Sequence, residues 1–410
     1  MASDDLLDLS NPDNFNDGVP HETFRRLRAE DPVHWQEESN GPGFWSITKY
    51  EDLRSLSRTP KVFSSWERGT NMFELDEQDL AGVRLMMINM DPPKHAKYRR
   101  LVSKGFTPKR IDMIREHVRE LATRTVDRIA ERGECDFVAD VASQLPMDTI
   151  CEMLGVPEAD RQLVYDLSNK LIGFDDPELQ TTFEDGRAAS IEMFQYAASL
   201  GAERLRCPMD DLTTILVNAE VDGDGLGELE FESFFLMLAI AGNETTRTVT
   251  SQGMRLLSAH PETKRRIVDD MSLLPNAIEE ILRYNPAVIH FRRTATEDVE
   301  LRGKRIEAGQ KLILWYPSAN RDEEIYSDPD AFDIDRFPNE HLAFGVGEHF
   351  CLGASLARLQ LNTIFGELLR RLPDIQVEGP VQYLRSNFID GIKEMHVRFT
   401  PESQRRRAAS

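Results

Sequence analysis

Residues 344–353 read FGVGEHFCLG, a glycine-rich loop that places one cysteine just before an apolar helical stretch. Glycines at positions 345, 347 and 353 permit backbone torsions and close approaches that a side chain would forbid. Apolar residues then recur at helical spacing, at Ala357, Leu361, Ile364 and Leu368. Cys351 is therefore predicted to lie at a helix N-terminus, where unpaired backbone N–H groups and the helix dipole favour a thiolate.

Cysteine behaves as a small hydrophobe, so a single cysteine is most often a buried structural residue. The spacing around Cys351 favours another interpretation, because residues 344–353 match the pattern F-x-x-G-x-x-x-C-x-G. This segment resembles the haem-binding loop of the cytochrome P-450 family of haem-thiolate monooxygenases. The resemblance implies that Cys351 is the axial ligand of the iron of haem b, and that Phe344, Gly345 and Gly353 belong to the cofactor site. A thiolate ligand pushes electron density onto iron and favours O–O cleavage.

A second motif lies at residues 238–246, LAIAGNETT, inside a predicted long helix that starts near Phe231. Gly242 weakens such a helix by roughly 1 kcal/mol relative to alanine. Alone, the motif is equally compatible with a solvated helix face that contains an incidental glycine. In the family that the loop resembles, the pattern A-G-x-[DE]-T crosses the haem. The resemblance implies that Ala241 lies at the cofactor and that Glu244 and Thr245 guide protons to dioxygen.

Several basic residues match positions at which this family binds the two haem propionates. His95 and Arg99 are one helical turn apart in residues 91–100, DPPKHAKYRR. Arg293 and His349 match the other two contacts. Each residue alone is more typical of a solvated or capping role, but they occur together in the order of the family.

Glu280 and Arg283 match the family's E-x-x-R helix motif, and a side-chain pair at this spacing shares a helix face. Surface pairs of this kind are common. With Arg336 in residues 332–337, FDIDRF, the resemblance implies a buried structural charge network on the cysteine side of the haem.

Composition indicates one large domain comprising residues 1–410. No Pro/Gly/Ser-rich linker or repeat divides the 410 residues, and 40% of them are apolar, enough for a sizeable core. The 71 acidic and 49 basic residues give a net charge of −22. This balance disfavours binding to nucleic acid or to an anionic membrane surface.

The chain shows no targeting or anchoring signal. Its first residues, MASDD, are acidic where a signal peptide needs basic residues. The longest apolar run, residues 234–242, is about half of the roughly 20 residues that span a bilayer. The cysteines show no C-x-x-C pair or zinc-finger spacing. A cytoplasmic protein without a membrane anchor is predicted.

The chain is predicted to be mainly α-helical with a minor β part. Two alternating runs, 32–36 and 43–50, indicate a hairpin. Helical periodicity dominates from about 94 to 290, with breaks predicted near Pro146, Pro157, Pro208 and Pro261. Residues 311–316 and 395–399 indicate short strands. The resemblance implies the cytochrome P-450 fold, a helical bundle that encloses haem and carries small antiparallel sheets.

The predicted function is the hydroxylation of an unactivated C–H bond with O2, two electrons and two protons. Residues 241–247, AGNETTR, and 385–393, RSNFIDGIK, most resemble bacterial enzymes that hydroxylate sterol side chains, methyl-branched lipids, alkanes or terpenoids. Positions where the family contacts substrate are nearly all apolar here, which suits a hydrophobic small molecule: Phe73, Leu85, Met86, Phe234, Leu238, Val288, Ile289 and Phe388. The alternatives are a peroxide-driven haem enzyme and a non-catalytic haem carrier or gas sensor.

The electron donor is predicted to be a separate protein, because the chain has no dinucleotide fingerprint. From Lys94 to Arg110 there are seven Lys or Arg residues and no Asp or Glu. On a helix, Lys97, Arg100 and Lys104 lie opposite His95 and Arg99. A solvated basic face would explain this pattern, but such a face on an acidic protein also suits a small acidic ferredoxin.

Overall fold

Helices make up most of the structure, a computed structural model that describes residues 6–172, 176, 178, 183–221 and 223–409. They are α1 (His21–Glu30), α2 (Tyr50–Ser57), α3 (Glu77–Val83), α4 (Lys94–Ser103), α5 (Pro108–Ile129), α6 (Gln144–Leu154), α7 (Arg161–Ile172), α8 (Phe183–Arg206), α9 (Leu212–Val217), α10 (Glu228–Ala259), α11 (Pro261–Asp269), α12 (Leu274–Tyr284), α13 (Tyr316–Ala319), α14 (Ala354–Arg371) and α15 (Glu402–Ala409). None of these helices, over the described ranges, is both long and apolar enough to cross a lipid bilayer.

The strands are short and lie mostly in antiparallel pairs. They are β1 (Val33–Gln36), β2 (Phe44–Ile47), β3 (Phe63–Ser64), β4 (Glu134–Asp136), β5 (Glu220–Val221), β6 (Asp224–Gly225), β7 (His290–Ala295), β8 (Val299–Leu301), β9 (Lys304–Ile306), β10 (Lys311–Trp315), β11 (Gln376–Val377), β12 (Gln382–Tyr383), β13 (Ile392–Glu394) and β14 (His396–Arg398). The mainly helical fold with a minor β part is confirmed.

The main sheet has five strands in the order β1-β2-β10-β7-β3. β1 and β2 form the predicted hairpin, in which Val33 lies opposite Ile47. β10 pairs in parallel with β2 and antiparallel with β7, so the sheet joins the N-terminal hairpin to the C-terminal half of the chain. β7 was not predicted from the sequence. It places Arg293 opposite Leu312 in the buried centre of the sheet.

α10, the longest helix of the described chain, packs against α6, α8, α12 and α14. Its N-terminus is capped by Glu230, whose Oε2 accepts a hydrogen bond from the Gly227 N–H group at 3.0 Å. Two glycines allow close packing. A Cβ atom at Gly242 would lie 2.9 Å from Ile150 of α6, and one at Gly253 would lie 2.7 Å from Phe365 of α14. The glycine that weakens the helix therefore has a packing role.

All four predicted helix breaks are confirmed. Pro157 and Pro208 follow the ends of α6 and α8, and Pro261 begins α11. A turn at Ser143 precedes α6, in which Pro146 is the third residue. Proline is tolerated in the first turn of a helix, where its missing N–H group removes no intrahelical hydrogen bond.

The buried carboxylate of Glu280 joins α12 to the segment that precedes the cysteine loop. Arg283 donates two hydrogen bonds of 2.7 Å to Glu280, and both side chains are 0% exposed. Arg336 adds a 3.3 Å hydrogen bond to the same carboxylate. The Asp333 N–H group and the Asn339 amide supply two more donors, at 2.9 and 3.0 Å. The network expected from the E-x-x-R motif is therefore present.

The two arginines also donate to backbone carbonyl groups of the same segment. Arg283 reaches the carbonyl oxygens of Asn320, Pro329 and Ala331 at 2.8 to 3.0 Å. Arg336 reaches that of Ser327 at 2.8 Å. Residues 320–339 contain no long helix or strand, so side-chain hydrogen bonds take the place of a backbone ladder in satisfying these carbonyl groups.

We expect Glu280→Gln to lower the free energy of unfolding by about 3 kcal/mol, because it leaves two buried arginines without their anionic partner. The measurement is urea denaturation followed by circular dichroism. The matched control is Glu262→Gln, which removes an exposed Glu262–Arg265 pair of the same spacing and should change stability by less than about 0.5 kcal/mol. Equal effects of the two substitutions would contradict this role for Glu280.

Candidate active site

The cysteine loop is a compact turn closed by its own backbone. The Cys351 N–H group donates to the Phe344 carbonyl at 2.9 Å, and the Gly345 N–H group donates to Leu342 at 2.8 Å. Gly345 and Gly347 have φ angles of 67° and 78°, a region that favours glycine. A Cβ atom at Gly347 would also lie 2.7 Å from the Ser57 carbonyl oxygen. α14 begins three residues after Cys351, which confirms the predicted position at a helix N-terminus.

Gly353 differs from the other two glycines of the motif. Its φ is −87°, which any residue adopts, and a Cβ atom there would meet no protein atom within 4 Å. Neither backbone conformation nor packing within the chain therefore requires glycine at this position. A flat group bound beside Cys351 would require the small residue at position 353, and this observation fits a haem.

The ionisation of Cys351 differs from the prediction. Burial raises the pKa of the thiol, although the Gly353 N–H group and the positive charges of Arg99 and Arg358 act to lower it. Burial of the sulfur thus opposes the effect predicted for the helix N-terminus, because desolvation disfavours the charged form. A bound metal ion deprotonates a coordinating thiol, which fits Cys351 as an iron ligand.

The structure brings together the four basic residues predicted to bind propionates. The His95 and His349 ring centroids are 4.3 Å apart, and neither ring nitrogen of the buried His95 has a hydrogen-bond partner in the described structure. Burial and the neighbouring Arg99 lower the pKa of His95 to about 4. Burial, followed by Arg293, His95 and Arg99, lowers the pKa of His349 well below its usual range. The four groups therefore disfavour one another's positive charge.

No carboxylate among the described residues forms an ion pair with any of these four side chains. Arg293 is only 4% exposed and donates to the Arg292 carbonyl, while burial lowers the pKa of its guanidinium. The nearby Asp91 carboxylate instead accepts hydrogen bonds from Ser64 and Ser65. A buried cationic cluster without a counter-ion is costly. Two carboxylates of a bound group would complete it, which fits haem propionates.

α10 is accessible at one point along its middle. Ala241 is exposed and Thr245 half-buried, although Leu238, Ala239, Asn243 and Glu244 around them are buried. The Thr245 hydroxyl donates to the Ala241 carbonyl at 2.8 Å, so its oxygen keeps lone pairs that can accept a hydrogen bond. Ala241 and Thr245 therefore share the accessible surface of α10.

The side chains of Glu244 and Thr245 have different hydrogen-bond and ion-pair partners in the described structure, although the two were predicted to act as a pair. Consecutive helical residues point about 100° apart. The buried Glu244 carboxylate forms an ion pair of 2.5 Å with Arg247, one turn away. Arg247 in turn donates to Asn169 of α7 at 2.9 Å. The structure therefore directs Glu244 towards α7 and leaves Thr245 at the accessible surface of α10.

The predicted substrate residues fall into two groups. Phe234 and Ile289, 0% and 1% exposed, pack in the core, and Leu238 is 6% exposed. Neighbouring side chains enclose the first two in the described structure, and their contact with a substrate stays a prediction. The remaining predicted residues are half-buried and keep accessible apolar surface: Phe73, Leu85, Met86, Val288 and Phe388.

Ile240 was not predicted and connects the two ends of this apolar surface. It packs against the cluster around Leu238 that also contacts Met86 and Leu352, and against the pair Leu384 and Ile389. Val288 and Phe388 contact that same pair. No motif identifies Ile240, since its role depends on the chain segments that fold against α10.

Comparison with known proteins assigns the family. The cytochrome P-450 family profile matches residues 159–373. A "Steroid C26-monooxygenase" of Rhodococcus jostii is 40% identical over 97% of this chain and 85% of its own length. A "Methyl-branched lipid omega-hydroxylase" of Mycobacterium tuberculosis is 42% identical over 93% of this chain and 91% of its own length. The chain belongs to the cytochrome P-450 family.

Solved cytochrome P-450 structures agree with this assignment. One of Mycobacterium marinum, in complex with pseudoionone, is 41% identical with a TM-score of 0.87, over 92% of this chain and 94% of that one. One of Bacillus megaterium, in complex with testosterone, is 32% identical with a TM-score of 0.82, over 93% and 99%. The chain is thus a cytochrome P-450 monooxygenase with a haem-thiolate cofactor, as the cysteine loop indicated.

Sequence reasoning also missed Asp390, which holds the turn that carries Phe388 in this P-450 chain. The buried Asp390 carboxylate accepts a hydrogen bond from Asn285 at 2.9 Å. Its backbone carbonyl accepts one from Gln252 of α10 at 2.9 Å, and its N–H group donates to Ala287 at 2.9 Å. Burial raises the pKa of Asp390 to about 6, although Asn285 and Arg255 act in the opposite direction. Its position just after Phe388 was the only signal available in the sequence.

We expect Asp390→Asn to stabilise the protein more at pH 7.5 than at pH 5. The raised pKa means that folding disfavours the ionised carboxylate, so the parent loses stability as the pH rises from about 4 to about 6. An amide avoids this loss and can still accept the hydrogen bond from Asn285. The difference in the free energy of unfolding between variant and parent should increase by about 1 kcal/mol between the two pH values, measured by urea denaturation. A pH-independent difference would contradict the assignment.

Proposed function

We propose that the chain uses haem b and O2 to hydroxylate an unactivated C–H bond of a hydrophobic small molecule, with two electrons from a ferredoxin. The observation that carries this proposal is the convergence of His95, Arg99, Arg293 and His349 near the Cys351 loop without a counter-ion. A simple packing role would not collect four basic groups in this way. The haem, when bound, supplies the activation of dioxygen that the protein side chains cannot perform.

The chain's own residues suit three tasks. Cys351 would ligate the iron, while the two histidines and two arginines would bind the propionates. Thr245 would accept or pass a proton beside the dioxygen. Because the Glu244 carboxylate pairs with Arg247 and not with Thr245, a proton from Glu244 requires an intervening water molecule or a change of rotamer.

The substrate is proposed to be a steroid, terpenoid, branched lipid or alkane. The accessible apolar side chains of Met86, Ile240, Val288 and Phe388 support this class, because burial of hydrocarbon is the main source of affinity in such a site. The two relatives described above act on steroids and methyl-branched lipids by name. A haem carrier, a gas sensor or a peroxide-driven enzyme is less well supported, since none of these needs a proton-handling threonine beside an apolar substrate surface.

The electron donor is proposed to dock on α4. Arg100 and Lys104 are exposed, and Lys97 is half-buried on the same helix. His95 and Arg99 of this helix belong to the cationic cluster, so α4 connects the surface to the cofactor site. With a net charge of −22 on the whole chain, a local basic surface can attract and orient a small acidic ferredoxin.

We expect Thr245→Ala to keep NADH consumption within a few-fold of the parent but to lower the product formed per NADH severalfold, with peroxide released instead. The loss of the hydroxyl removes a positioned proton carrier. The assay combines NADH, a surrogate ferredoxin with its reductase, and a panel of steroids, terpenes, fatty acids and alkanes. Cys351→Ala is the control for the haem assignment, because it should abolish the red-shifted Soret band of the reduced carbon monoxide complex. Full retention of that band would refute the proposed ligand.

We expect Arg100→Glu together with Lys104→Glu to slow ferredoxin-driven reduction about tenfold at low salt, because both changes reverse charge at the proposed contact. The deficit should shrink at high salt, which screens exposed charges. Reduction by dithionite should be unaffected. The control reverses two exposed arginines elsewhere, Arg265 and Arg305, which are 68% and 74% exposed. Equal low-salt rates for the α4 variant and this control would refute the docking site.

A further inference from the structure

Arg358 of α14 stacks on an aromatic side chain of the cysteine loop. Its guanidinium carbon lies 4.5 Å from the ring centroid of Phe344. Phe344 is the residue whose carbonyl accepts the Cys351 N–H group. A planar guanidinium over an aromatic ring is a favourable arrangement that also restricts the ring. Arg358 therefore contacts the residue that closes the loop around Cys351.

Glu279 of α12 fixes the orientation of this guanidinium. It accepts two hydrogen bonds from Arg358, at 2.7 and 2.8 Å, a bidentate geometry that sets both the position and the plane of the fork. Burial acts to raise the pKa of Glu279, but hydrogen bonds from Arg358 and His341 outweigh it and lower the pKa to about 2. The Glu279 carboxylate is therefore ionised at physiological pH.

His341 connects the same carboxylate to the start of the loop. Its Nδ1 accepts a hydrogen bond from the Ala343 N–H group at 3.2 Å, so the proton resides on Nε2, which donates to Glu279 at 3.2 Å. Phe344 is thus restrained at its ring by Arg358 and at its preceding backbone by His341. Both restraints meet at Glu279, on a helix that lies outside the loop.

Arg358 also brings positive charge to the cysteine loop. It lies in the second turn of α14, the helix that begins three residues after Cys351, and its guanidinium stacks on Phe344 of the loop. Glu279 balances this charge, so substitution of either partner changes the net charge beside the loop.

We propose that Arg358, held by Glu279 and His341, is a positioning residue that keeps Phe344 and the Cys351 loop in place and stabilises negative charge on the iron ligand. This inference rests on the proposed haem-thiolate site. It assigns to Glu279 a role as the anchor of Arg358, and to the Arg358–Glu279 pair an influence on the reduction potential of the cofactor.

The test measures the reduction potential of the haem-loaded protein and the Soret band of its reduced carbon monoxide complex. Reduction adds negative charge at the site, so Arg358→Leu should lower the potential and Glu279→Gln, which leaves the guanidinium uncompensated, should raise it. Arg358→Lys keeps the charge but loses the fork and the stacking. It should leave the potential near that of the parent and still increase severalfold the fraction of complex without the thiolate band.

Arg370→Leu is the matched control. Arg370 lies on the same helix and lines the same groove, of about 900 Å³ between α5 and α14, but pairs with Glu367 at the surface. If Arg358→Leu does not fold, as judged by circular dichroism, Arg358→Gln and Glu279→Gln take its place. The inference would be overturned if the reduction potential of Arg358→Leu equalled that of Arg370→Leu. It would also be overturned if Arg358→Leu and Glu279→Gln shifted the potential in the same direction. A parent protein without the thiolate band would instead overturn the proposed function.

Discussion

The hydrogen-bonded carboxylate of Glu280, fully removed from water, is the group on which the cysteine side of the molecule depends. It collects hydrogen bonds from two arginines, an amide and a backbone N–H group. Burial of an unpaired charge costs several kcal/mol, so the carboxylate is tolerated only with this complete set of donors. The donors come from α12 and from residues 320–339, which have little regular structure. The network therefore holds an irregular segment in one conformation, and the cysteine loop follows directly after it.

The same helix stabilises the loop from a second direction. Glu280 faces the preceding segment, whereas its neighbour Glu279 pairs with Arg358 of α14 and with His341 at the start of the loop. Two adjacent carboxylates on α12 thus constrain both the approach to the loop and the helix that leaves it. This arrangement explains how a turn rich in glycine, which has a high conformational entropy when unfolded, can present a single cysteine in a defined position.

The cofactor site shows the opposite electrostatic principle. At the Glu280 network two arginines share a carboxylate within the chain, whereas His95, Arg99, Arg293 and His349 converge with no carboxylate partner among the described residues. Burial and mutual repulsion lower the pKa values of both histidines. A bound dianionic group would relieve this repulsion, so its binding would stabilise the folded protein as well as equip it for catalysis. Compensated charges thus fix the scaffold, and uncompensated charges mark the binding site.

The sequence by itself determined the family and the mainly helical class. It also predicted the cysteine, the cationic residues and Thr245 as site residues, because each belongs to a local motif with fixed spacing. Periodicity also located α10 and the β1–β2 hairpin. What only the tertiary structure decided is which residues face one another across distant segments. Packing between elements far apart in the chain decides five features that the sequence did not predict. They are strand β7, the enclosure of Phe234 and Ile289, the pairing of Glu244 with Arg247, the contacts of Ile240 and the hydrogen bonds of Asp390. Cys351 is a further case: a helix N-terminus is visible in the sequence, but the burial that raises the pKa of the thiol exists only in the folded chain.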